Sequence, residues 1–124
     1  MAKKPATKAS PIFPICIRFP RRDLQTVRAA AAKEGEIVTV WIREAVLLRL
    51  AMTEEGIPTP TLRFETSKGD GEPASLRLRP ADYRRVRRAA MQDQQHLGSW
   101  IRAVAVARAN QVTASPERAA AEVA

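Results

Sequence analysis

The sequence predicts a mainly helical chain carrying a two-stranded antiparallel ribbon. It reads as two strand–helix–helix repeats that close on each other as a single-chain pseudo-dimer. Three observations lead there: an internal repeat, a short period-two alternation in each copy, and helical spacing of apolar residues after it. Repeats are sought first, because missing one misassigns the whole fold. Trp41 in TVWIREAV and Trp100 in GSWIRAVA stand 59 residues apart. Sliding the chain by that offset aligns CIRFPRRDLQTVRAAAAKEG with SLRLRPADYRRVRRAAMQDQ without a gap. Ten of the thirty-five aligned positions, 16–50 against 75–109, are identical. They are Arg18/Arg77, Asp23/Asp82, Val27/Val86, Arg28/Arg87, Ala30/Ala89, Ala31/Ala90, Trp41/Trp100, Ile42/Ile101, Arg43/Arg102 and Arg49/Arg108.

Each copy opens on an alternating run. Ile15, Ile17 and Phe19 alternate with Cys16 and Arg18; Leu76 and Leu78 alternate with Ser75, Arg77 and Arg79. Such alternation predicts a half-buried strand. A first helix follows, opened near Pro20 or Pro80, since proline suits a first helical turn. Its apolar face is Leu24, Val27 and Ala31 in one copy, and Tyr83, Val86 and Ala90 in the other. Gly35 predicts the end of the first of these helices, by its tolerance of left-handed backbone. Gln94 holds that place in the second copy, so a softer boundary is expected there. The second helix has Val38, Trp41, Ile42, Ala45 and Val46 at helical spacing, matched by Leu97, Trp100, Ile101, Val104 and Ala105. Tryptophans beside isoleucines at that spacing belong to a core.

Between the copies, residues 51–74 hold three of the nine prolines, three of the five glycines, and five acids against two bases. Their net charge of −3 contrasts with +3 for residues 15–50 and +6 for residues 75–110. The division expected is a basic arm (1–14), a first repeat (15–50), an acidic linker (51–74), a second repeat (75–110) and a frayed tail (111–124). Thr61–Glu65 alternates like a strand and offers a hairpin with Ser75–Arg79 across SKGDGE. The first copy has no equivalent, which weighs against that pairing. One strand with two short helices cannot satisfy its edges or bury its apolar stripe. Two copies solve this by pairing their strands antiparallel over four helices.

Composition narrows the function. The chain has 124 residues, is 45% hydrophobic and carries a net charge of +8. That excess favours a polyanionic partner, nucleic acid before an acidic membrane surface. A single cysteine, Cys16, excludes an internal disulfide framework and fits a reducing compartment. One histidine, His96, leaves too few ligands for a zinc site and too few partners for a Cys–His nucleophile. There is no glycine-rich phosphate loop, and the carboxylates are scattered. No apolar run approaches the roughly twenty residues of a membrane span, and MAKKPATKAS lacks the apolar stretch of a secretory signal. The expectation is a soluble, basic, cytoplasmic binding protein with no enzymatic activity and no cofactor.

IRFPRRDLQTVR, followed by KEG and a second helix, resembles the ribbon-helix-helix proteins typified by the Arc and MetJ repressors. LRLRPADYRRVRRAA with SWIR is similar to the modules of plasmid mobilisation accessory proteins. Two copies in one chain resemble the tandem members that assist conjugative or T-DNA transfer. The resemblance spans about seventy of the 124 residues. It implies that the ribbon enters the major groove of double-stranded DNA and that its outward side chains read base edges. Carried over, the base readers are Cys16, Arg18, Ser75 and Arg77. Pro14 and Pro73 take the outermost reading positions and offer no donor. Cys16 departs from the polar residue usual at its place. The resemblance also implies a phosphate clamp at the start of each second helix. That maps to Ile37–Thr39, with Val38 and Thr39 contributing, and to His96, Leu97 and Ser99. Ile37 and His96 replace the usual serine or threonine.

Arg84, Arg85, Arg87 and Arg88 crowd the first helix of the second copy. Helical geometry spreads them around the axis, so part of the cluster is a solvated face. Arg79, Arg84 and Arg88 are the expected phosphate contacts. Arg43 and Arg102, recurring within the WIR motif, read as structural contacts between the copies. The two strands differ in sequence, so recognition of an asymmetric sub-site is expected. The leading function is an accessory protein of a transfer origin, with a relaxase or other transfer proteins as further partners and self-association along DNA. The alternatives are a repressor of its own operon, an antitoxin-like regulator, or an adaptor that does not bind DNA. Binding to anionic lipid is the weakest, since the apolar stripes are needed for the core.

Overall fold

In the computed structural model the described residues are 13–64 and 71–123, without the side chains of residues 13 and 114–123. The order is β1 (Phe13–Phe19), α1 (Arg21–Lys33), α2 (Val38–Glu54), β2 (Glu72–Leu78), α3 (Pro80–Gln92) and α4 (Leu97–Val123). Strand, helix, helix therefore occurs twice. The strands form one two-stranded antiparallel sheet.

The period-two pattern sets which side of the ribbon is buried. Ile17, Phe19, Leu76 and Leu78 point inward and are buried, while Pro14, Cys16, Arg18, Pro73, Ser75 and Arg77 are exposed. Beneath the ribbon the core is completed by Leu24, Val27, Ala30 and Ala31 of α1, Val86 and Ala90 of α3, and the apolar faces of α2 and α4. Trp41 and Trp100 are only 3% and 2% exposed, as the helical spacing predicts. Val38, Tyr83 and Leu97 pack at the core's margin. Each buried side chain of the Leu, Ile or Phe class contributes about 1.5–3 kcal/mol relative to exposure.

The second-helix tryptophans are also tied down at their polar ends. Trp41 Nε1 donates to Glu34 Oε1 at 2.7 Å, and Trp100 Nε1 donates to Asp93 Oδ2 at 3.0 Å. Both carboxylates sit just past the end of a first helix, and they too are 59 residues apart. Those helix ends are alike despite their different sequences. Gly35 has φ 70° and Gln94 has φ 57°. Glu36 N donates to Ala31 O, and Gln95 N to Ala90 O, each at 2.9 Å. This is the capping pattern that satisfies the last carbonyls of a helix through one left-handed residue. The softer boundary expected at Gln94 is therefore absent; glutamine adopts the strained conformation because both helix ends are held by the tryptophan bonds and the core.

The halves interlock. α1 packs more extensively on α4 than on any other element, and Lys33 Nζ donates to the carbonyl of Val112 at 3.0 Å. Arg102 Nη1 donates to the carbonyl of Arg18 at 3.0 Å, tying α4 to the end of β1.

Several expected boundaries shift. β1 includes Pro14, assigned above to the arm, and β2 includes Glu72, Pro73 and Ala74, assigned to the linker. In a two-stranded ribbon both strands are edges, where proline is tolerated. A paired residue that lacks N–H cannot exchange both ladder bonds, so Pro14–Arg77 and Arg18–Pro73 are non-hydrogen-bonded pairs. α2 runs on to Glu54 and ends on Gly56 with φ 76°. Residues 111–123, expected to fray, continue α4; Val112 is buried. Thr61–Phe64 is not a strand. Instead the segment after α2 lies along the body: Pro60 O accepts from Arg49 Nη1 at 2.6 Å, and Leu62 packs on the core. Residues 1–12 of the basic arm, and Glu65 with most of the SKGDGE turn, lie outside the described residues.

Candidate nucleic-acid interface

The ribbon's outward face is built by its register. Cys16 faces Ser75, Pro14 faces Arg77, and Arg18 faces Pro73. The central pair, Cys16 and Ser75, is itself one of the pairs that the 59-residue offset aligns. Directly opposed residues of an antiparallel pair project to the same side. Cys16, Arg18, Ser75 and Arg77, the four candidate base readers, therefore share one exposed surface, with an arginine towards each end.

The two arginines differ in their surroundings. Arg18 Nη1 donates to the carbonyl of Gly71 at 3.0 Å. Gly71 lies so close to β1 that a Cβ there would collide with the Phe19 carbonyl, so glycine is required where the chain enters β2. Glu72, one residue on, lies 3.6 Å from Arg21 and 3.4 Å from Arg28 of α1. These are exposed pairs of small energetic weight.

The candidate phosphate clamps are the starts of α2 and α4. Ile37, the residue before α2, has extended backbone (φ −71°, ψ 140°), is 71% exposed and makes no side-chain cap bond. The first helical bonds form behind it, Trp41 N to Ile37 O at 2.8 Å and Trp100 N to His96 O at 2.9 Å. The N–H groups of a helix's first turn have no acceptor within the helix, so these starts carry partial positive charge. Val38, Thr39, Leu97 and Ser99 are half-buried in those first turns, and His96 is exposed.

The arginine cluster on α3 splits into two groups. Arg85 is engaged: Nε and Nη2 meet the two Glu54 oxygens at 2.9 Å each, and Nη1 meets Asp82 Oδ1 at 3.0 Å. The bond to Glu54 raises the Arg85 pKa and holds the Glu54 carboxyl below its ordinary value. Arg84 and Arg88 are exposed and, with Arg87, Met91 and Gln92, line a shallow hollow on α3. Arg79, also exposed, is the residue before α3.

Sequence reasoning did not find the Arg85–Glu54 bridge, because Glu54 falls in the segment read as linker. It also did not find the carboxylate partners of the tryptophans. Their signal was present: Glu34 and Asp93 align under the offset and keep their charge. Arg49 and Arg108, identical in the alignment, stand near those carboxylates of the opposite half. Arg108 Nη2 is 4.0 Å from Glu34 Oε2, while burial lowers the Arg49 pKa and the Asp93 charge opposes that. Arg102 contacts β1 as described, and Arg43 is half-buried.

Among the described residues no three His, Cys, Asp or Glu side chains gather where they could hold a metal ion, and no helix is long and apolar enough to cross a membrane. Comparison with family models, curated proteins and solved structures finds no match to this chain.

Proposed function

We propose that the chain is a tandem ribbon-helix-helix protein, a single-chain pseudo-dimer that binds double-stranded DNA sequence-specifically by laying its ribbon in the major groove. The observation that carries this reading is the register: with Cys16 opposite Ser75, Arg18 and Arg77 fall on one exposed face of a groove-sized element. A two-stranded ribbon fits the major groove, and arginine is the natural bidentate reader of guanine. The uncapped start of α2, its counterpart at α4, and the exposed Arg79, Arg84 and Arg88 supply the sequence-independent phosphate attraction. The net charge of +8 agrees. The biological setting proposed, a relaxosome or transfer-origin accessory protein working beside a relaxase, rests on the tandem resemblance.

Gel-shift titration at two salt concentrations tests this, with transfer-origin DNA, operon promoter DNA and random duplex as probes. Specific binding survives added salt better than the non-specific background. Arg18→Ala or Arg77→Ala removes about 1–3 kcal/mol of preference for the cognate site, whereas Arg84→Ala weakens all duplexes alike. Equal affinity for cognate and random duplex at both salts would refute the reading. Preference for the promoter over the origin would move the protein to the repressor role.

A further inference from the structure

From the spacing of the ribbon arginines we infer the pattern this surface reads: two guanines, one on each DNA strand, about four base-pair steps apart, around a centre with little base preference. The inference rests on the major-groove reading above and adds the identity and spacing of the bases.

Arg77 faces Pro14, and Arg18 lies four residues beyond Pro14 on β1. At about 3.3 Å per strand residue, the two arginines stand roughly 13 Å apart along the ribbon. One base-pair step of duplex advances about 3.4 Å along the axis, so that separation matches about four steps. The antiparallel register relates the two arginines by an approximate two-fold axis through the Cys16–Ser75 pair. The DNA groove has two-fold axes of its own, and aligning the two sets places equivalent arginines on opposite strands. Each guanine presents O6 and N7 side by side, which suits a guanidinium fork.

The central pair explains the lax centre: Cys16 is a weak donor and Ser75 serves several bases. Pro14 and Pro73, at the ends opposite the arginines, add no side-chain donor. Arg18 donates once to Gly71 O, and a guanidinium has five N–H donors, so its reading capacity remains. The asymmetry expected from the two different strands then lies chiefly outside the ribbon, at Ile37 against His96 and in the α3 arginines.

The test is selection of the full chain on duplexes carrying a randomised central segment, followed by sequencing of the retained DNA. The expected motif has guanine on one strand and guanine on the other, about four steps apart, with the positions between them unconstrained. Repeating the selection with Arg18→Ala or Arg77→Ala leaves one guanine in the motif, the other preference falling roughly tenfold or more. Arg18→Lys keeps the charge without the planar fork, so it weakens one guanine preference less than Arg18→Ala does, while retaining random duplex comparably to the unaltered chain. A motif with a strong central preference, with another spacing, or unchanged in both alanine variants overturns this inference and leaves DNA binding standing. Failure to retain any duplex at low salt overturns the DNA-binding reading as well.

Discussion

The first half of the molecule, residues 13–54, and the second, residues 72–113, share an apolar packing pattern and differ most in the charge on their surface. Aligned positions that agree are mostly buried or connect the halves: Val27/Val86, Trp41/Trp100, Ile42/Ile101, and Arg49/Arg108 near the opposite half's carboxylate. Buried positions that differ exchange one apolar residue for another, as at Phe19/Leu78, Val46/Ala105 and Leu50/Ala109, while most differences in charge face outward. Ile37 stands where the second half has His96, and Gln25 and Ala29 where it has Arg84 and Arg88. Even the ionic bridge is one-sided. Arg85 clasps Glu54, whereas the aligned positions Thr26 and Thr113 each turn back to a carbonyl of their own helix. The lesson is that one apolar packing pattern serves both halves through exchanges of size, and that the differences in charge lie mainly at exposed positions.

Core substitutions break this comparison most severely. Phe19→Ala empties a fully buried site under the ribbon and is expected to cost about 3–5 kcal/mol, read as a shift in the urea midpoint. Trp41→Phe and Trp100→Phe each remove an indole donor to a carboxylate, worth about 1.5–3 kcal/mol, and leave part of a nearly buried ring's space empty. If the halves share one packing solution, the two losses agree within about 0.5 kcal/mol, the usual scatter between independent sites. A large inequality would show that the two tryptophan bonds are not equivalent. The helix ends offer a smaller and asymmetric test. Gln94→Gly relieves the left-handed strain and is expected to stabilise by about 0.5–1 kcal/mol, after allowing for the greater freedom of glycine in the unfolded chain. Gly35→Gln moves the thermal midpoint the other way.

The Arg85–Glu54 bridge gives the smallest effect, because both groups are solvent-accessible. The Glu54 carboxyl titrates below its unfolded value, so its contribution is present above that value, near pH 4.3, and is lost as pH falls through the folded one. Glu54→Gln therefore lowers stability slightly at neutral pH and flattens the acid limb of the stability profile. The Gln variant of Glu34, whose carboxylate takes the tryptophan bond instead, leaves the Glu54 limb in place.

Most of the architecture was legible because hydrophobic period and offset carry it. The alternation at Ile15–Phe19 and Leu76–Leu78, and the helical spacing around both tryptophans, name the buried faces directly. Boundaries were less legible where a local signal and tertiary context disagree. Pro14 and Pro73 argue against a strand, yet the ribbon has only edge strands, and their missing N–H groups fall in non-hydrogen-bonded pairs. Gln94 lacks the glycine signature of a helix end but is forced into it by its surroundings. Of the candidate interface, the exposure of Arg18 and Arg77 follows from period two. Their relative placement depends on the antiparallel register, a long-range property that no local window contains. The bond from Arg18 to Gly71 and the bridge between Arg85 and Glu54 join segments 53 and 31 residues apart, which local pattern does not encode.

The architecture stands on the pairing of Cys16 with Ser75 inside one chain. Alternation from Pro14 and Pro73 makes this a non-hydrogen-bonded pair, in which opposed Cα atoms approach to about 4.5 Å, within the range a disulfide spans. Cys16 is the sole native cysteine, so Ser75→Cys creates a two-cysteine chain. Mild oxidation at micromolar concentration, followed by non-reducing denaturing electrophoresis, is expected to give a monomer with its internal disulfide closed and no free thiol. A covalent dimer, or two thiols that stay reactive, would contradict the account.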